Sequence, residues 1–128
     1  MENKKLTLSI LPEKLGICHL SKNISIPEWA QDLSFCSITR TSDELSIVCP
    51  QEKIPTGVMA ELNWRAFKLE GDLDLTSVGI IVSLSKPLAE ANISIFNIST
   101  YQTNYLLVEE KNFEKARNIL GSFCNIKE

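Results

Sequence analysis

The chain has 128 residues, 44% of them hydrophobic and 23% charged, a globular composition sufficient for one ordinary domain or two very small ones. Its formal net charge of −3, with no basic run longer than Lys4 and Lys5, argues against a nucleic-acid or anionic-membrane partner, because either favours a basic face. No apolar stretch approaches the ~20 residues of a membrane span and Met1 to Lys5 lack signal-peptide character, so the expected setting is cytoplasmic.

Leu6 to Leu11 alternates apolar and polar residues and predicts a strand that Pro12 ends. Leu15 to Leu20 predicts a second short strand, and Pro27 marks the start of a short helical turn over Ile26 to Ala30. Phe35 to Thr41 and Glu44 to Cys49 predict a hairpin across Ser42 and Asp43, stopped by Pro50. Pro55 and Gly57 keep any helix between Gln51 and Leu62 short, and Trp64 to Glu70 again alternates as a strand.

Ser77 to Ala91 is the strongest predicted helix, with Val78, Ile81, Leu84, Leu88 and Ala91 at helical spacing, Pro87 as an expected kink and Asn92 as its end. Ser94 to Tyr101 and Tyr105 to Glu109 predict a second hairpin across Gln102, Thr103 and Asn104. Asn112 is the expected cap of a last helix with Phe113, Ala116, Ile119 and Leu120 inward and Gly121 at its end, before a short strand over Phe123 to Ile126.

The second half therefore reads strand, helix, strand, strand, helix, strand, the split ferredoxin-like order. The first half reads as a weaker copy. Phe35 to Thr41 echoes Phe96 to Gln102, and Leu45 to Val48 echoes Tyr105 to Val108. An internal repeat follows, dividing the chain into residues 1–62 and 63–128 packed as one unit.

Cys18, Cys36, Cys49 and Cys124 form no closely spaced pair, so they predict small apolar core or surface residues rather than a zinc set or disulfides. His19 is the one histidine, and the sequence designates no nucleophile or carboxylate to work with it. No metal, cofactor or catalytic set is expected, and the protein is expected not to be an enzyme. Trp29 and Trp64 are expected core or interface anchors.

Asp72 to Glu109 is the stretch that carries functional information: a polar loop, a glycine near a helix start, and a hairpin with a polar tip. Gly79 lacks a Cβ, which admits either a ligand or a closely packed neighbouring strand. The first N–H groups of a helix lack intrahelical partners and suit a carboxylate. Thr100 and Asn104 offer neutral donors and acceptors, although turn composition alone explains both. Tyr101 offers an apolar wall or a dimer contact. Asp72 and Asp74 could hold an ammonium group or stabilise the helix start.

Thr39 to Pro50, Thr76 to Leu84, Lys86 to Ile93 and Ile98 to Val108, taken in order and spacing, resemble the small tandem ACT-like domain proteins and the ACT modules of the cytosolic arginine-sensor family. The resemblance implies an α+β, ferredoxin-like fold of tandem βαββαβ units with antiparallel sheets and helices on one face. It also implies amino-acid binding at an interface between ACT units. By position, Ser77, Val78, Gly79 and Ile81 would be the loop contacts, and Thr100, Tyr101 and Asn104 the hairpin contacts. The arginine-sensor pattern has acidic residues where Ser77 and Asn104 stand here. Strong pairing with a guanidinium needs carboxylates, so a neutral amino acid is expected instead. The expected function is a non-enzymatic regulatory module with an amino-acid ligand and, as output, a homodimer or another protein partner, without nucleic acid or membrane. The rival readings are a structural protein-interaction module of the same fold without a ligand, and an RNA-binding ferredoxin-like domain, which the acidic balance disfavours.

Overall fold

In the computed structural model residues 6–71 and 79–128 are described. Eight strands and two α-helices occur among them: β1 (Leu6–Ile10), β2 (Leu15–Leu20), β3 (Ser37–Arg40), β4 (Leu45–Pro50), β5 (Met59–Leu69), α1 (Ile80–Glu90), β6 (Phe96–Ser99), β7 (Asn104–Glu109), α2 (Phe113–Gly121) and β8 (Cys124–Lys127). They form two compact units: Glu13–Trp64, and the N-terminal strand together with Arg65–Glu128. The expected division at residues 62 and 63 falls inside β5, which contributes residues to both units, and β1 joins the second unit rather than the first.

The first unit has the strand order β3-β4-β2-β5, each neighbouring pair antiparallel. This is the ferredoxin-like order with β2, β3, β4 and β5 as its successive strands. Where that fold places helices, the chain has only 3₁₀ turns at Glu28–Ala30 and Gln51–Lys53, each preceded by proline. Pro55 and then Gly57, at φ 100, stop the second turn from extending. Cys18, Ala30, Leu45, Ile47 and Cys49 are the buried core of this unit, and Trp29, Leu33, Ile54 and Val58 pack on it from the connecting segments.

The packing around β2 is tight. Gly16 is buried opposite Cys49, and a Cβ there would clash with Ile54 Cδ1 and lie 3.0 Å from Leu62 Cδ2. Gly16→Val is expected to destabilise by about 1–3 kcal/mol through overpacking. Guanidinium denaturation measures this, and a loss below about 0.5 kcal/mol would show that the site has room.

The second unit contains the sequence β5, α1, β6, β7, α2, β8 in ferredoxin-like succession, and β1 is inserted between β5 and β8, antiparallel to the former and parallel to the latter. Phe67 and Leu69 of β5 pair with Ile10 and Leu8 of β1, and these four residues share a buried core with Leu84 and Leu88 of α1 and Ala116 and Leu120 of α2. Phe113, at the start of α2, stacks on Phe67 with centroids 5.2 Å apart, and the Arg65 guanidinium lies 4.2 Å from the centre of the Phe113 ring.

The helix ends depart from expectation in instructive ways. α1 starts at Ile80 with Gly79, not Ser77, at its boundary, and it runs on through Pro87 to Glu90. Asn92 does end it, at φ 67: its N–H bonds to Ala89 O and the Ile93 N–H to Leu88 O, the paired bonds of a Schellman turn. Asn112 stands at the cap position of α2 but makes no side-chain cap hydrogen bond, and Gly121 is the last residue inside that helix. No helix among the described residues is long and apolar enough to cross a membrane.

Candidate functional site

Gly79 opens α1 at φ 84, a left-handed conformation that glycine adopts without the strain of a Cβ. It is exposed, and a Cβ built on it would meet nothing within 4 Å. Among the described residues, nothing packs closely on the glycine, and its left-handed φ is by itself a reason for glycine here. Among the described residues no side chain caps this helix end, and the first intrahelical bond runs from Ser83 N–H to Gly79 O. The amide groups of Ile80, Ile81 and Val82 precede the intrahelical ladder, and the dipole there favours negative charge. Ile81 is half-buried with its side chain against the core, so its contribution to a ligand would be main-chain. Ser77, Val78, Asp72 and Asp74 lie outside the described residues.

The other three expected contacts come together at one end of the β6–β7 hairpin. Thr100 N–H donates to Thr103 O, and Thr103 N–H to Thr100 Oγ1. The hairpin tip is therefore Tyr101 and Gln102, starting one residue earlier than the three-residue turn expected at Gln102 to Asn104. Asn104 belongs to β7, opposite Ser99, and its side-chain oxygen accepts from Ser99 Oγ at 2.6 Å. Tyr101 stands out from the tip with 83% of its surface exposed.

Thr103 is the residue that sequence reasoning undervalued. It is 7% exposed, and its hydroxyl donates to the Leu69 carbonyl at the end of β5. It thereby ties the hairpin tip to the C-terminal end of β5. No sequence signal marked it, because the turn that it closes is fixed only by the hydrogen bonds of Thr100. The first hairpin is built in the same way: Thr41 Oγ1 accepts from the N–H groups of Asp43 and Glu44, and Thr41 N–H donates to Glu44 O. The two threonine-capped turns, about sixty residues apart, are the structural counterpart of the repeat read in the sequence.

The first unit has a separate concavity of about 340 Å³, lined by Glu13, Glu28, Trp29, Asp32, Glu52 and Lys53 among others. Glu13 is engaged there by Ser34 Oγ at 3.0 Å. His19 pairs on the surface with Glu44 at 3.0 Å. Among the described residues, no group of three or more histidines, cysteines or carboxylates is arranged to hold a metal ion.

Comparison with known proteins agrees with this architecture. A model of the ACT domain matches residues 59–122, and a model of an N-terminal domain matches residues 13–57. A crystal structure from Agrobacterium tumefaciens is 38% identical, covers 97% of this chain and 93% of its own, and superposes with a TM-score of 0.90. The human protein CASTOR3P is 28% identical over an aligned length of 101 residues, with 69% of this chain and 62% of the human one covered. The regulatory subunit of aspartate kinase from Thermus flavus, 10% identical, shares the fold over 93% of this chain and 98% of its own, with a TM-score of 0.65. With the ACT model covering half its length and a close structural relative matching nearly all of it, the chain belongs to the ACT domain family.

Proposed function

We propose that the protein is a non-enzymatic, cytoplasmic regulatory module that binds a small neutral amino acid at an interface between ACT units of two copies. One copy would offer Ser77, Val78, Gly79 and the main chain of Ile81, with the carboxylate of the ligand on the first amides of α1. The second copy would offer Thr100, Tyr101 and Asn104 from its hairpin. The observation that carries this reading is Gly79: a left-handed, exposed glycine at a helix start where, among the described residues, no side chain makes a cap hydrogen bond or comes near a built Cβ. The neutral side chains of Ser77 and Asn104 disfavour a guanidinium ligand. The regulatory subunit of aspartate kinase has the same fold, which supports a regulatory role by analogy. Four free cysteines suit a reducing compartment.

The test is thermal shift and calorimetry of the full chain against each of the twenty amino acids. A ligand present at a hundred times its Kd stabilises by about 2.7 kcal/mol, a shift of several degrees. Gly79→Ala puts a methyl group into the site and should abolish that ligand-dependent shift in a chain that still unfolds cooperatively. Absence of stabilisation by any amino acid at millimolar concentration sinks the proposal. The protein-interaction reading would then take its place, supported by the exposure of Tyr101 and of Val82, at 60%, if sedimentation shows a dimer that Tyr101→Ala dissociates.

A further inference from the structure

Three of the four cysteines meet in the first unit, two on adjacent strands and the third at the start of a strand beside them. Cys18 lies on β2 and Cys49 on β4, both fully buried, and Cys36 immediately precedes β3, half-buried against the same core. The β3–β4 register pairs Arg40 with Leu45, Thr39 with Ser46, Ile38 with Ile47 and Ser37 with Val48, so the next pair outward is Cys36 with Cys49. The type of that pair follows from the turn. Thr41 N–H donates to Glu44 O, which makes Thr41 and Glu44 a hydrogen-bonded pair. Antiparallel pairs alternate, so Arg40 and Leu45, and Ile38 and Ile47, are of the non-hydrogen-bonded kind, and the same register carried one residue past the end of β3 would make Cys36 and Cys49 such a pair, with Cα atoms about 4.5 Å apart and side chains close together. That separation lies within the window of about 4.4–6.8 Å that a disulfide requires.

We propose that Cys36 and Cys49 are an oxidation site: peroxide converts this cross-strand dithiol into a reversible intrachain disulfide. Cys36 is the more accessible thiol and takes the first step, its sulfur attacking one peroxide oxygen to give a sulfenic acid and one water. The Cys49 sulfur then attacks the Cys36 sulfur, forming the S–S bond. The displaced hydroxide takes up the Cys49 proton and leaves as a second water. Two thiols are oxidised by two electrons and one hydrogen peroxide is reduced to two waters.

Cys18 is the competing partner. It opposes Ile47 and so lies diagonal to Cys49, at a spacing of about 7–8 Å between Cα atoms, beyond the disulfide window. Burial raises the Cys36 thiol, and the Cys49 thiol beside it adds to the shift. Cys49 is itself raised, chiefly by its hydrogen bond to Cys18, and that bond lowers Cys18. The thiolate is the reactive form, so the reaction runs faster in alkaline buffer than at neutral pH. The structural consequence is local. Cys36 Sγ donates to the Ala30 carbonyl at 3.3 Å, holding the end of the 3₁₀ turn that carries Trp29. A disulfide has no S–H to donate, so oxidation removes that tether and changes the surroundings of Trp29 in the wall of the acidic concavity.

The experiment is a tryptic map of the full chain, treated while folded with hydrogen peroxide at neutral and alkaline pH, alkylated, and digested without reductant. Cleavage at Lys22 and at Arg40 places Cys18, Cys36 and Cys49 on three different peptides. The expected product is the Cys36 peptide joined to the Cys49 peptide within one chain, lighter by two hydrogens, restored by dithiothreitol and accompanied by a change in tryptophan emission. Cys36→Ser should remove the link, and Cys124→Ser should leave it in place. A Cys18–Cys49 link, links between chains only, or Cys36 carried to sulfinic acid without a link would each overturn the proposal. The mapping of the unsubstituted protein decides the matter even where a variant fails to fold.

Discussion

Phe67→Ala is expected to destabilise the protein by about 3–5 kcal/mol, the range for deleting a buried aromatic side chain from a core that only partly collapses around the gap. Phe67 is fully buried in β5, opposite Ile10, where both helices contribute to the same cluster. Its removal also strips Phe113 of its stacking partner, at 5.2 Å and an interplanar angle of 14°. Phe113 in turn carries the Arg65 guanidinium, whose other engagement is a 3.4 Å pairing with Glu110. The Arg65 side chain is 20% exposed and its partner 41%, so at 3.4 Å the pair is a lesser part of the effect, and lost burial and ring packing dominate. Since single domains are stable by only ~5–15 kcal/mol, this one side chain holds a large share of the margin. Guanidinium denaturation should show a lower midpoint with an unchanged slope. Phe67→Leu, which retains most of the apolar volume, should recover more than half of the loss. A deficit under about 1 kcal/mol for the alanine variant would mean that the core closes over the gap, contrary to the packing described.

Helix and strand succession was legible because it depends on periodicity and on Pro, Gly and Asn, which act locally. Pro12, Pro50 and Asn92 end elements where a sequence reading places their ends. The ferredoxin-like order of the second half was equally legible, since α1 and α2 bury faces that recur at helical spacing. What was not legible depends on partners distant in the chain. Nothing in Leu6 to Ile10 announces that β1 lies between β5 and β8, because the same alternation would serve beside any strand. The turn at Tyr101 and Gln102 was misplaced because Thr103 and Asn104 are themselves good turn residues, and only the hydrogen bonds of Thr100 fix which pair closes the hairpin. At the candidate site, the sequence left Gly79 divided between ligand approach and close packing. The structure adds a third reason that the sequence does not show, the left-handed φ of 84 at the helix boundary, and leaves ligand approach to experiment.

Thr103→Val is expected to cost about 1–3 kcal/mol although it preserves shape, because it removes a buried hydroxyl and leaves the Leu69 carbonyl without that donor. The backbone of Thr103 would be unaffected, since its N–H and carbonyl are satisfied by Thr100 across the turn. The substitution therefore isolates a single bond, the one that fastens the tip of the β6–β7 hairpin to the end of β5. Thr103→Ser keeps the hydroxyl and gives up only a methyl group, so it should retain most of the stability. That ordering, valine below serine, is the opposite of what β propensity and apolar burial alone would produce. Chemical denaturation of the two variants alongside the unsubstituted chain measures it. Equal stability of the valine variant and the parent would show that the hydroxyl contributes no net free energy. If the valine variant is the weaker, the hairpin that presents Thr100, Tyr101 and Asn104 owes its position to a residue that itself faces inward, away from any ligand.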